Sequence, residues 1–341
     1  MLRPKPVAPA GKVVLFEHAS ELLAGNPMDD PICRQHPVYL PADYQGGDRR
    51  YPVLWSLAAY TNAGPGQVNW RNQGENIPTR LDRLITEGRM PPVIVVFPDC
   101  YTSLGGNQYV NSPALGPYAD YIVDELVPAI DQAFRTTGEP AGRAVFGKSS
   151  GGFGALHLAM EKPGVFAAVA NHAGDCGFDR VYLRDFPVCC DVLARHEGNL
   201  EAFVRMFWRD RRPGGAAFHA LMVLCLAASY SPTPSKPLGL ELPFDLRTCR
   251  LDEAVWQRWL EFDPLNRVSS SIDALQGLAG LWMDVGRRDQ YFIHYGAREF
   301  HDRMNAAGID HHFEEFDGTH SGIDWRYDQS LPWLAARLKA D

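Results

Sequence analysis

Short strand-like runs, most of them apolar, punctuate the chain at positions 13–16, 37–40, 53–57, 93–97, 144–146, 167–171, 281–285 and 312–316. From Val53 onward several of these runs are solid rather than alternating, as expected of strands covered on both faces. Between them, apolar positions recur at helical spacing. In 76–87 they are Ile77, Leu81, Leu84 and Ile85, and in 118–134 they are Tyr121, Ile122, Leu126, Ile130 and Phe134. Residues 295–307 and 331–338 are patterned similarly. This alternation predicts an α/β protein with a mostly parallel central sheet, flanked by helices and joined by right-handed crossovers. The early strands are expected to pair antiparallel at one edge. One stretch, 174–268, breaks the rhythm. It reads as loop-rich and aromatic, with Pro213-Gly214-Gly215, a proline-studded run at 231–237, and Trp256 and Trp259 on a predicted helix. The expectation is one domain over 1–341, with 174–268 a lid-like insertion over the carboxyl edge of the sheet.

Composition narrows the function classes. The 341 residues are 45% hydrophobic and 22% charged, ordinary values for a globular chain. The formal net charge is -8, and the densest basic cluster, 209–212, is interrupted by Asp210. Nothing there tracks phosphates, so no nucleic-acid partner is expected. Residues 1–11 lack the apolar core of a secretory leader. The longest apolar run, 216–229, is too short to span a bilayer and contains His219, so it reads as a buried helix. A cytoplasmic protein without a membrane partner is the expectation. The seven cysteines are odd in number and form no C-x-x-C, which favours free buried thiols over disulfides or structural zinc. The vicinal pair Cys189-Cys190 reads as packing.

The chemistry is concentrated in Gly147-Lys148-Ser149-Ser150-Gly151, a G-x-S-x-G between a strand-like run and a helix-like run ended by Pro163. A serine on such a turn presents its hydroxyl beyond the sheet edge, and the glycines admit backbone angles and approaches that a Cβ would block. The Ser150 amide then points to where an oxyanion would form. A serine hydroxyl needs a base, and the base needs an orienting acid. His320 fits the base, because it follows the strand 312–316 in the turn Asp317-Gly318-Thr319-His320-Ser321-Gly322. For the acid, the segment after strand 281–285 offers Asp284 and Asp289. Asp289, past Gly286 on the loop, is favoured, and Asp284 within the apolar run reads as structural. The second oxyanion amide is assigned to Tyr60, beyond strand 53–57, with Ala59 or Thr61 one register away.

Together these residues resemble the esterase D and enterochelin-esterase-like branch of the α/β-hydrolases. Val38-Tyr39-Leu40-Pro41-Ala42-Asp43-Tyr44 is similar to that family's early strand. Phe97-Pro98-Asp99 is similar to its P-D-G segment, with Cys100 in place of glycine. Asn111-Ser112-Pro113 with the helix from Tyr118, the serine turn and Asp317-Gly318-Thr319-His320-Ser321 complete the likeness, over about 38–338. Two departures stand out. Many relatives carry His-Gly where this chain has Ala58-Ala59, and the insertion carries no substrate signature. The resemblance implies an α/β-hydrolase fold and serine-dependent hydrolysis of a small-molecule carboxylic ester through an acyl-serine, a reaction that needs no cofactor. Asp99, Asp120 and Glu125, at a strand end and on a helix face, read as caps or solvated groups, so no metal is expected. Siderophore esters, feruloyl or acetyl groups on sugars, and formyl thioesters all remain open. The same triad would serve an acyltransferase, and a ligand-binding protein on an inactive scaffold is the non-enzymatic alternative. Lys148 reads as packing or as a charge near an anionic substrate, and Trp70 as core or pocket wall.

Overall fold

The computed structural model describes residues 10–340. Residues 1–9, most of the stretch read for a leader, lie outside them. Eight strands form one sheet: β1 Lys12–Ala19, β2 Cys33–Leu40, β3 Val53–Leu57, β4 Ile94–Val96, β5 Arg143–Lys148, β6 Ala168–His172, β7 Gly280–Gly286 and β8 His312–Phe316. Their spatial order is β1-β2-β4-β3-β5-β6-β7-β8. β1 with β2 and β2 with β4 are antiparallel, and every later pair is parallel. The parallel pairs require crossovers, and the helices supply them.

Those helices are α1 Ile77–Thr86, α2 in three consecutive stretches (Tyr118–Asp120, Tyr121–Leu126 and Val127–Ala133), α3 Ser150–Glu161, α4 Phe186–Ala194, α5 Leu200–Arg209, α6 Gly215–Tyr230, α7 Glu253–Leu260, α8 Ile293–Ala306 and α9 Tyr327–Ala335. Capping fixes some boundaries. The Asn76 side chain accepts from the Thr79 amide at the start of α1, and Pro78 follows in the first turn, where a missing N–H costs nothing. Among the described residues no helix is long and apolar enough to cross a membrane.

The solid apolar runs divide residue by residue between two cores. Leu54, Phe146, Ala168, Ala170 and Trp282 face α1 and α9. Val53, Trp55, Val145, Val169 and Met283 face α2, α3 and α8. Burial on both faces is why the runs are not amphipathic. β1 lies at the sheet edge, and its Leu15 is 61% exposed.

Between β6 and β7 the chain is not loop-rich as its sequence suggests. It holds α4, α5, α6 and α7 with short helical turns between them. The run read as a buried helix is α6, and the pair Trp256 and Trp259 sits on α7. Loops were expected from the glycine and proline runs at 213–215 and 231–237, which fall between these helices. α6 shows no period, with Leu221, Val223, Leu224, Cys225, Leu226 and Ala227 all fully buried, but its unbroken apolar run marks it as a buried helix.

Candidate active site

Tyr60, Ser149, Ser150, Asp289 and His320 each stand beyond the carboxyl end of a strand, where open α/β sheets bind ligands, whereas Asp284 lies within β7. β5 ends at Lys148 and α3 begins at Ser150, so Ser149 makes the turn alone, with φ 57° and ψ -125°. That is a strained conformation for a residue with a Cβ, and it persists only where the surroundings over-determine it. The Ser149 amide donates to the His172 carbonyl on β6 at 2.9 Å, and its carbonyl accepts from the Phe153 amide at 2.8 Å. The motif glycines allow the closeness. A Cβ on Gly151 would lie 2.1 Å from the Leu57 carbonyl oxygen at the end of β3.

Two amides flank this turn. Ser150 is the first residue of α3, so its N–H has no partner within the helix. Its hydroxyl accepts from Gln108 Nε2 at 3.1 Å, and Gln108 Oε1 accepts from the Tyr230 hydroxyl at 3.2 Å. The Tyr60 amide makes no hydrogen bond among the described residues. Its loop is pinned twice: the Tyr60 hydroxyl donates to the Leu104 carbonyl at 2.7 Å, and the Tyr109 hydroxyl donates to the Ala58 carbonyl at 2.6 Å.

His320 Nδ1 lies 2.8 Å from Asp289 Oδ2, and both residues are buried. The other Asp289 oxygen accepts from the Tyr291 amide at 2.8 Å. Gln290 Oε1 accepts from the His320 amide at 2.9 Å, and the Tyr291 ring meets the imidazole edge to face at 4.8 Å between centroids. Three consecutive residues after β7 therefore hold the histidine beyond β8. Arg184, from the stretch before α4, donates to the Gln290 carbonyl and lies over the Tyr291 ring.

Ser149, Ser150, Tyr60 and His320 share one cavity of 220 Å³. Val181, Tyr182, Phe218 and Met222 wall it from 174–268, and Tyr291 closes the His320 side. Asp175 and Asp185 add carboxylates, and His219 Nδ1 lies 3.2 Å from Asp185 Oδ1. Burial pushes the Asp175 carboxyl up to about 6, against the lowering effect of the Tyr182 hydroxyl that donates to it at 2.8 Å.

Asp284 takes part in a different group. Its Oδ1 lies 2.7 Å from His172 Nδ1, and its Oδ2 accepts from Trp282 Nε1 at 2.9 Å and Arg326 Nε at 2.8 Å. His172 Nε2 lies 2.9 Å from the Ser330 hydroxyl. This second serine, histidine and aspartate set is fully buried and takes no part in the walls of the Ser149 cavity. Burial raises the Asp284 carboxyl, but His172 and Arg326 outweigh it, and the net direction is down. Lys148 borders the cavity, whereas Trp70 is 61% exposed and belongs neither to the core nor to the cavity wall.

Gln108, Gln290, Tyr291 and Asp175 carry no motif. Only the proximity of Gln290 and Tyr291 to Asp289 hints at their place in sequence.

The sheet order, with a serine turn after β5, an acid after β7 and a histidine after β8, defines an α/β-hydrolase-fold protein. The family described as "Putative esterase" matches residues 34–331, and the chain belongs to it. Esterase Rv1288 of Mycobacterium tuberculosis (strain H37Rv) is 29% identical over 312 residues, covering 89% of this chain and 56% of that protein. The chain thus spans little more than half the length of that relative. Among solved structures, a ferulic acid esterase superposes with a TM-score of 0.64 at 20% identity, covering 97% of this chain and 99% of that one. An S-formylglutathione hydrolase from Agrobacterium tumefaciens superposes with a TM-score of 0.56 at 17% identity, covering 98% of both chains.

Proposed function

We propose that the protein is a serine-dependent carboxylic ester hydrolase working through an acyl-serine. Ser149 attacks the ester carbonyl as His320 Nε2 takes its proton. Asp289 fixes the imidazole tautomer through Nδ1 and stabilises the imidazolium. The Ser150 and Tyr60 amides stabilise the tetrahedral oxyanion. His320 then returns the proton to the departing oxygen, and a water activated by the same imidazole releases the acid.

The observation that carries this reading is the shared cavity. A serine on a strained turn, a histidine paired with a buried carboxylate, and two amides without partners all border one 220 Å³ space. Such convergence has no structural purpose of its own. Membership of the esterase family and the names of the relatives support the same chemistry.

The substrate is a small-molecule ester. The aromatic walls Tyr182, Phe218 and Tyr291 favour an acyl group bulkier than formyl, in line with the ferulic acid esterase more than the formylglutathione hydrolase. We read 174–268 as the lid of this cavity within one hydrolase domain, because its residues supply most of the apolar wall. The Ser149→Ala variant is expected to lose p-nitrophenyl acetate turnover by a factor of at least 10³ while keeping its melting temperature. Turnover within tenfold of the wild type would overturn the assignment.

A further inference from the structure

Lys148, the residue before Ser149, occupies a position that the proposed hydrolysis does not use. It ends β5, two residues beyond Phe146. Strand alternation carries both side chains to the face covered by α1 and α9, where the Phe146 ring meets Tyr327 at 5.4 Å. A second cavity of 180 Å³ opens there, at the same sheet edge. Ala59, Thr61 and Lys148 belong to its walls and to those of the Ser149 cavity, so the two spaces adjoin at the lysine.

The walls of the second cavity are charged, and the charges do not balance. Arg71, Arg80 and Lys148 face Glu75 and Asp324. Arg71 pairs with Asp324, and Arg80 pairs with Asp328 outside the cavity. Arg83 takes Glu75 at 2.8 Å. The Lys148 ammonium makes no ion pair or hydrogen bond among the described residues; Asp324 and Asp289 act on it only from a distance. Burial holds its ammonium below the usual lysine range. A half-buried ammonium without a partner is unfavourable unless something supplies the missing anion.

The position decides which half of the substrate that anion belongs to. His320 must reach the departing oxygen, so the alcohol half lies toward the segment after His320. Gly322 and Asp324 of that segment wall the second cavity. The apolar residues Val181, Phe218 and Met222 wall the first and suit the acyl half.

We infer that Lys148 is a specificity residue that binds a carboxylate on the alcohol half of the ester, so that the protein selects esters of anionic phenols or alcohols. This rests on the esterase reading above. The hydrogen-bonded ion pair, formed out of bulk water, favours the anionic ester by roughly tenfold or more over a neutral one of the same shape.

The test compares 3-acetoxybenzoate with 3-acetoxybenzamide, which differ in charge and little in shape. Wild-type protein is expected to favour the carboxylate about tenfold in kcat/KM, mainly through KM. Lys148→Met should bring that ratio close to one, and Lys148→Arg should keep most of it. Calorimetry with 3-hydroxybenzoate and 3-hydroxybenzamide supplies a readout independent of turnover, with the same tenfold preference expected and the same loss in Lys148→Met. A ratio near one in the wild type, or an unchanged ratio in Lys148→Met, overturns the inference. Lys148-dependent binding without hydrolysis of either ester would reject the esterase reading and keep the anion site. Hydrolysis of both esters, with no dependence on Lys148 in either readout, would do the reverse.

Discussion

Asp284 and Asp289 are five positions apart on and after the same strand, and each holds a histidine. What separates them is what the histidine reaches. Through Asp289, His320 borders the cavity; through Asp284, His172 meets only Ser330 and the buried frame. Asp289→Asn should therefore cost on the order of 10³–10⁴ in kcat, by favouring the wrong imidazole tautomer, with little change in melting temperature. Asp284→Asn should act on stability. Removing one partner of a buried charge pair costs about 3–5 kcal/mol, read as a fall in denaturation midpoint. The sign of its pH dependence follows from the depressed carboxyl. Its stabilisation is complete above the ordinary carboxylate pKa of 3.8 and is lost as pH falls below that value. Asp175 has the opposite sign. Its folded pKa is raised from 3.8 to about 6, so the native state holds the proton more tightly, and stability falls as pH rises across that window. Asp175→Asn should remove that loss, on the order of 3 kcal/mol by pH 7. Thermal melts of both proteins from pH 4 to 8 should diverge up to about pH 6 and then run parallel. Parallel melts throughout would contradict this.

Element by element, the sheet and its flanking helices were legible, and the helical content of 174–268 was largely not. The central strands announce themselves as solid apolar runs because both their faces are buried, whereas the edge strands β1 and β8 keep polar residues and only partial burial. α1 was read over 76–87 from its apolar spacing, within a residue of its observed ends at Ile77 and Thr86. α5 carries Leu200, Phe203 and Phe207 at helical spacing, and that period is present in the sequence too. α4 hides its period, because a helix packed on several sides loses the polar stripe that marks a surface helix; α6 lacks the stripe too and was legible only as an unbroken apolar run. α6 also supplies Phe218, His219 and Met222 to the cavity wall. Phe218→Ala should enlarge that space. The preferred p-nitrophenyl ester should shift toward longer acyl chains by at least two carbons, and an unchanged chain-length profile would show that α6 does not limit the acyl group.

At the scale of the whole molecule, the candidate site was legible because its parts follow the order of the sheet. Serine after β5, acid after β7 and histidine after β8 lie far apart in sequence but beyond neighbouring strand ends, since β5, β6, β7 and β8 are adjacent. What sequence could not supply is tertiary: Gln108 under Ser150, Gln290 and Tyr291 around His320, the sealed His172 and Asp284 pair beneath the turn, and the second cavity beside Lys148. These depend on side chains meeting across elements, for which no local pattern exists. The claim on which all else rests is that Ser149 is a nucleophile activated by His320. Treatment with a fluorophosphonate probe, followed by peptide mass spectrometry, tests it directly. The account predicts a single adduct on Ser149, absent in Ser149→Ala and formed at least 10²-fold more slowly in His320→Ala. No labelling of Ser149, or labelling at an undiminished rate without His320, would contradict it.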